Sequence, residues 1–145
     1  MKLCKILLLA AVSAQMSACT IFAPRFDPYV SQKTNSAYTE VAELLSAVDL
    51  GKYIMPDSFK DAVDKYASID GKLAAASQRV TKLNAPTGPS QSARDLLKRQ
   101  IEGCRNQIKE LAAGHKMAGL QPSTGITQPV MVSCDQAARA ADAMK

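Results

Sequence analysis

Ser92-Ala-Arg-Asp-Leu-Leu-Lys-Arg-Gln-Ile-Glu-Gly-Cys-Arg-Asn-Gln-Ile-Lys-Glu-Leu-Ala-Ala-Gly-His-Lys116 is the stretch that decides the fold. Leu97, Ile101, Cys104, Ile108, Leu111 and His115 recur at four-three spacing, which places them on one face of an α-helix. Basic and acidic residues fill the positions between. One such seam cannot bury itself, so the chain must supply other helices to cover it. Ser92 and Asp95 form a capping-box-like start, and Pro122 and Gly125 mark a loop after Leu120.

Working outward, Phe59, Val63, Tyr66, Ile69 or Asp70, Leu73, Ala76, Val80 and Leu83 form a second stripe. Its start lies near Pro56-Asp57-Ser58, where Ser58 and Asp61 read as a capping box. Gly71 costs about 1 kcal/mol relative to Ala in mid-helix, which that much apolar burial overrides. Asn84 to Pro89 reads as a turn. Asp27-Pro28 begins an earlier helix, with Asp as N-cap and Pro at the first position. There Val30, Thr34, Ala37, Val41, Leu44 and Val48 recur, Tyr38 and Leu45 widen the stripe, and Gly51 is a stop, giving a helix over about 28–50.

The last segment is open at its beginning. Pro129 fits a first helical turn, whereas Ser133-Cys134-Asp135-Gln136 is a capping box that favours a helix over 133–144. Cys134, Ala137, Ala141 and Met144 share its face. With no Trp, few aromatics and much Ala, the composition favours helices over sheets. The expected fold is therefore all-α: an antiparallel bundle of three longer helices with a short C-terminal helix packed alongside.

The N-terminus carries a different signal. Lys2 and Lys5 precede the apolar run Ile6 to Val12, and Ser13, Ala14 and Gln15 follow. That is the layout of a secretory signal, and it is too short for a transmembrane helix. Met16-Ser17-Ala18-Cys19 resembles the lipobox of bacterial lipoproteins, an aliphatic residue and two small ones before cysteine, with Met16 where Leu is usual. The resemblance covers the signal alone. It implies cleavage before Cys19 and fatty acylation there, and Thr20 in place of Asp implies outer-membrane sorting and a periplasm-facing domain. An ordinary signal peptide cut after Ala18 is the other reading. The chain then divides into a signal peptide (1–18), a lipidated start and tether (19–27) and a helical domain (28–145). Extended, Thr20 to Phe26 reach about 25 Å, so the domain stays close to the bilayer.

Removing residues 1–18 leaves 127 of 145 residues, enough for one core, and lowers the formal charge from +5 to +3. It also removes Cys4 and, with Cys19 acylated, leaves Cys104 and Cys134 in an oxidising compartment. A disulfide between them is expected, set against two buried free thiols.

Residues 27–70 carry four lysines against eight acids, and residues 71–116 carry nine bases against three, so the two halves are expected to lie together. Arg94, Lys98, Arg99, Arg105 and Lys109 form a candidate basic face for lipid headgroups or an acidic partner, weighed against an ordinary solvated helix surface. Weak net charge and absent interleaved aromatics disfavour nucleic acid. His115 is the sole histidine and reads as a seam or last-turn residue, and Asp57, Asp61 and Asp64 suit a helix N-terminus. No nucleophile-elbow, phosphate-loop or metal-ligand pattern appears, so neither enzyme activity nor a cofactor is expected. The functional expectation is a binding or scaffold component of an envelope assembly with a protein partner. The alternative is a small-molecule or lipid carrier with an apolar cavity between helices.

Overall fold

The computed structural model describes residues 27–84, 88–122 and 125–144, so the signal, the lipobox and the tether lie outside the described residues. Four α-helices follow one another: α1 (Pro28–Asp49), α2 (Phe59–Thr81), α3 (Pro89–Ala118) and α4 (Thr127–Asp142), with a 3₁₀ turn at Pro56–Ser58 leading into α2. They form the expected all-α bundle. α1 packs on α2, α2 on α3 and α3 on α4, and α4 also packs on α1. The short helix is thus more than an appendage: it closes the ring.

Local chemistry explains the helix ends. The Asp27 side chain accepts the Tyr29 backbone N–H at 2.9 Å, and Pro28 occupies the first turn. Gly51, at φ 79°, ends α1 as expected. Three expectations need correction. Ser58 makes no capping bond to α2, because its hydroxyl is turned back to the Met55 carbonyl. α3 starts at Pro89 rather than Ser92: Gly88 takes φ 88°, Pro89 supplies a helical φ with no N–H to leave unpaired, and Ser92 bonds back to the Gly88 carbonyl. α4 starts at Thr127, ahead of Ser133, since Pro129 falls in the first turn where backbone N–H groups lack intrahelical partners anyway.

The stripes fill the core. All six α3 seam residues are buried, as are Val30, Thr34, Ala37, Val41, Leu44, Leu45 and Val48 of α1. On α2 the buried set is Ala62, Tyr66, Ile69, Leu73, Ala76, Ser77 and Val80, while Val63 is exposed. At about 100° per residue, Ala62 lies on the axis of that stripe and Val63 well off it. Burying a Leu, Ile or Val side chain fully contributes about 1.5–3 kcal/mol, so these layers supply the main cohesion.

Polar contacts fix the register. Asp27 pairs with Arg79 and Glu40 with Lys72, while Asp70 receives Arg105 at 2.7 Å and Lys109 at 3.8 Å. Each joins an acid from 27–70 to a base from 71–116. Lys65–Glu43, by contrast, lies within the acidic half. Asp142 of α4 accepts from Ser31 and Asn35 of α1, holding the ring closed where α1 begins. Cys104 and Cys134 form a disulfide, with Cα atoms 4.6 Å apart, that fastens α4 to α3.

Candidate functional site

The topology gives the bundle two unlike ends. At one lie the start of α1, the end of α2, the start of α3 and the end of α4; the Asp27–Arg79 and Ser31–Asp142 contacts mark it. At the other, the α1–α2 and α3–α4 connections meet, and this end is built as a unit. The Leu120 N–H donates to the Tyr53 carbonyl at 2.7 Å. Gly119, at φ 75°, passes so close to the other connection that a Cβ there would sit 1.8 Å from the Ile54 carbonyl oxygen. Only glycine fits that approach.

Beneath this crossing sits His115, fully buried in the last turn of α3. Tyr53, Phe59 and Tyr66 place their rings 5.4–5.9 Å from the imidazole. The hydrogen bonds have a definite direction. Ser58 has one hydroxyl proton and donates it to the Met55 carbonyl at 2.5 Å. Its Oγ therefore accepts from His115 Nε2–H at 3.0 Å, which leaves Nδ1 to accept from the Tyr66 hydroxyl at 3.1 Å. The imidazole is neutral, and both of its nitrogens are satisfied. Burial pushes its pKa below the ordinary histidine value and pushes the Tyr66 phenol up, with Tyr53 adding to the latter. Because Nε2 carries its proton toward Ser58, the pair is not poised to activate that hydroxyl as a nucleophile. It is a brace that holds the 3₁₀ turn against α3. The Tyr53 hydroxyl, also buried, has no partner among the described residues.

This braced end presents several large apolar side chains outward, among charged ones such as Asp49, Lys52, Lys60 and Lys116. Leu50 is 87 % exposed, Met117 81 % and Met55 66 %, with Ile54 and Ile126 alongside. Next to Ile126 opens a cleft of about 190 Å³ walled mainly by apolar and small residues, Leu111, Ala118, Leu120 and Ile126 among them, with Glu110 and Gln121 supplying polar groups. Exposed side chains of this size cost free energy in a free monomer, and clustered ones mark contact surfaces. Methionine suits such a surface, because its unbranched chain adapts to the shape it meets.

The residues singled out in the sequence fall elsewhere. Cys19 lies outside the described residues. Of the candidate basic face, Arg94 pairs with Asp95, and Arg105 with Asp70 and Glu102, while Lys109 reaches Asp70. Arg105 and Lys109 are thereby engaged in holding α3 to α2, and Lys98 and Arg99 remain exposed with no ion pair among the described residues. The Arg105 bonds, ahead of burial, hold the Asp70 carboxyl below the usual carboxylate range. At Asp27, burial raises the pKa, but Arg79 and the Tyr29 and Val30 backbone N–H groups together bring it lower. Among the described residues no cluster of His, Cys, Asp or Glu is placed to hold a metal, and no helix is long and apolar enough to cross a membrane. Sequence reasoning missed Tyr53 altogether. Its only signal was an aromatic–aliphatic run, Tyr53-Ile54-Met55, between a helix-stopping Gly51 and Pro56.

Compared with known protein families, with curated proteins and with solved structures, the chain matches none.

Proposed function

We propose that the chain is an envelope lipoprotein, acylated at Cys19 and held at the outer membrane with its domain facing the periplasm. In this reading it serves as a scaffold or accessory subunit that docks a protein partner on its apolar end. The observation that carries the docking reading is the set Leu50, Met55 and Met117, each more than 60 % exposed on a base rigidified by His115 and Gly119. The anchor reading rests on the basic, apolar and lipobox-like order of residues 1–19. The two fit together geometrically. Asp27, eight residues after Cys19, begins α1, and α1 carries the chain about 33 Å to the apolar end. The carrier alternative gains no support from the 190 Å³ cleft, which opens at the surface, or from the core, where buried side chains from all four helices pack together.

Replacing Cys19 with Ser and feeding cells labelled fatty acid tests the anchor: label and membrane fractionation should both be lost. Retention in the membrane fraction without label would refute acylation. For docking, detergent-solubilised wild type should co-purify a protein that Met117→Ser and Leu50→Ser release. Co-purification of lipid and no protein would return the carrier reading.

A further inference from the structure

We infer that the end of the bundle opposite the apolar cap is a docking surface for anionic phospholipid headgroups, standing the domain upright on the bilayer that the tether reaches. This rests on the anchor reading for which bilayer is met, but the surface itself is read from the folded domain.

The folding pattern gathers cations that are scattered in sequence. Residues 27–36, 76–84, 88–99 and 135–144 share this end; they hold seven bases against four acids. The remaining described residues hold seven bases against nine acids, so the bundle is polarised along its axis. The cations come from every helix: Lys33 on α1, Arg79 on α2, Lys82 at the α2 C-cap, Lys98 and Arg99 on α3, and Arg139 on α4. They ring the end and do not form one face. Of these, Lys82, Lys98 and Arg99 are exposed and unpaired among the described residues. A surface cleft of about 410 Å³, walled by Tyr29, Ala75, Gln78, Arg79 and Lys82, opens within the ring. Tyr29 is 41 % exposed there, with the Lys33 ammonium 5.5 Å from its ring centre. An aromatic with a polar tip beside lysines is the composition that settles at headgroup depth.

The chain outside the structure decides what meets this ring. The tether enters at Asp27, inside the ring, and spans at most about 25 Å from Cys19. A lipid at Cys19 therefore holds the basic ring against the leaflet, and the acid-rich remainder extends away from it, its far end about 20 Å beyond the ring. Screening over a Debye length of about 8–10 Å weakens repulsion from the more distant acids more than attraction at the ring. Anionic leaflets attract such cations one by one. Tether and charge act in the same sense, and both turn the apolar cap toward the periplasm.

The test uses residues 19–145 with Cys19→Ser, which retains every described element but lacks the lipid, in flotation with phosphatidylglycerol-containing or pure phosphatidylcholine vesicles. Binding should appear with the anionic vesicles alone and fall steeply with added salt. The triple variant Lys82→Gln, Lys98→Gln, Arg99→Gln should weaken it roughly a hundredfold, about fivefold per cation. A second triple, Lys52→Gln, Lys60→Gln, Lys116→Gln, removes the same charge from the opposite half and should leave binding within about twofold. Equal losses in both triples, binding indifferent to salt, or no binding to anionic vesicles would each overturn the inference. Because the protein tested carries no acyl chain, a negative result here is separate from failure of the Cys19 labelling experiment.

Discussion

Gly119→Ala is the sharpest perturbation of the braced end. The backbone there has φ 75° and ψ −179°, a region that side-chain-bearing residues avoid at a cost of about 1–3 kcal/mol. The new Cβ would also stand 1.8 Å from the Ile54 carbonyl oxygen and 2.5 Å from its carbon, both backbone atoms that no rotamer change can remove. Relief requires the two connections to part, which breaks the bond from the Leu120 N–H to the Tyr53 carbonyl, a further loss of about 1 kcal/mol. The combined cost is about 3 kcal/mol. In urea unfolding followed by circular dichroism, with a slope of about 1.5 kcal/mol/M, the midpoint should fall by roughly 2 M. Helix content of the folded state should hold, because the core layers do not include this residue. A midpoint within 0.3 M of wild type would show that the crossing of the two connections is not built as described.

Other outcomes follow from the same structure. Replacing both Cys104 and Cys134 by Ala opens a loop of 30 residues and should lower stability by about 3–4 kcal/mol, with hydrogen exchange rising first in α4; unchanged protection of α4 would contradict its dependence on the disulfide. Stability should also fall as pH drops through a window that opens at about 6.5. His115 is held neutral by burial, so its folded pKa lies below the ordinary value of about 6.5. The unfolded chain then binds the proton first, and stability, complete above that pH, is lost as pH falls through the window. His115→Gln should flatten the unfolding midpoint across it, and the same slope in both proteins would place the titration elsewhere. Below about pH 4.5 a second loss is expected, as Asp27 and Asp70, whose carboxyls lie low, take up protons. Asp70→Asn, which removes the acceptor of Arg105 and Lys109, should reduce that second loss and cost at most about 1 kcal/mol at pH 7, because the pair is partly solvated.

The helical core was legible because burial there follows a period. Leu97 through His115 and Val30 through Val48 announce their faces at four-three spacing, and packing obeys it. The Cys104–Cys134 pairing was expected from an oxidising compartment and a cysteine count of two, and both residues lie on such faces. Boundaries were harder to read: a capping-box pattern at Ser92 or Ser133 is local, and the helix runs on upstream of each, from Gly88–Pro89 in one case and through Pro129 in its first turn in the other. Val63 was misplaced because an apolar side chain was counted where a small one, Ala62, actually fits the interface. The braced end was illegible for a different reason. Tyr53 meets Leu120, and Ser58 meets His115, across separations that no local pattern encodes. The axial segregation of charge likewise emerges only when the helices are folded antiparallel.

The opposed roles proposed for the two ends are tested most directly by a photo-crosslinking residue placed at Met117 or at Lys82 in the full chain in living cells. Met117 should yield a discrete protein adduct and Lys82 should label phospholipid. A protein adduct of the same mass from both positions, or lipid labelling at Met117, would contradict a bundle anchored at one end and docking at the other.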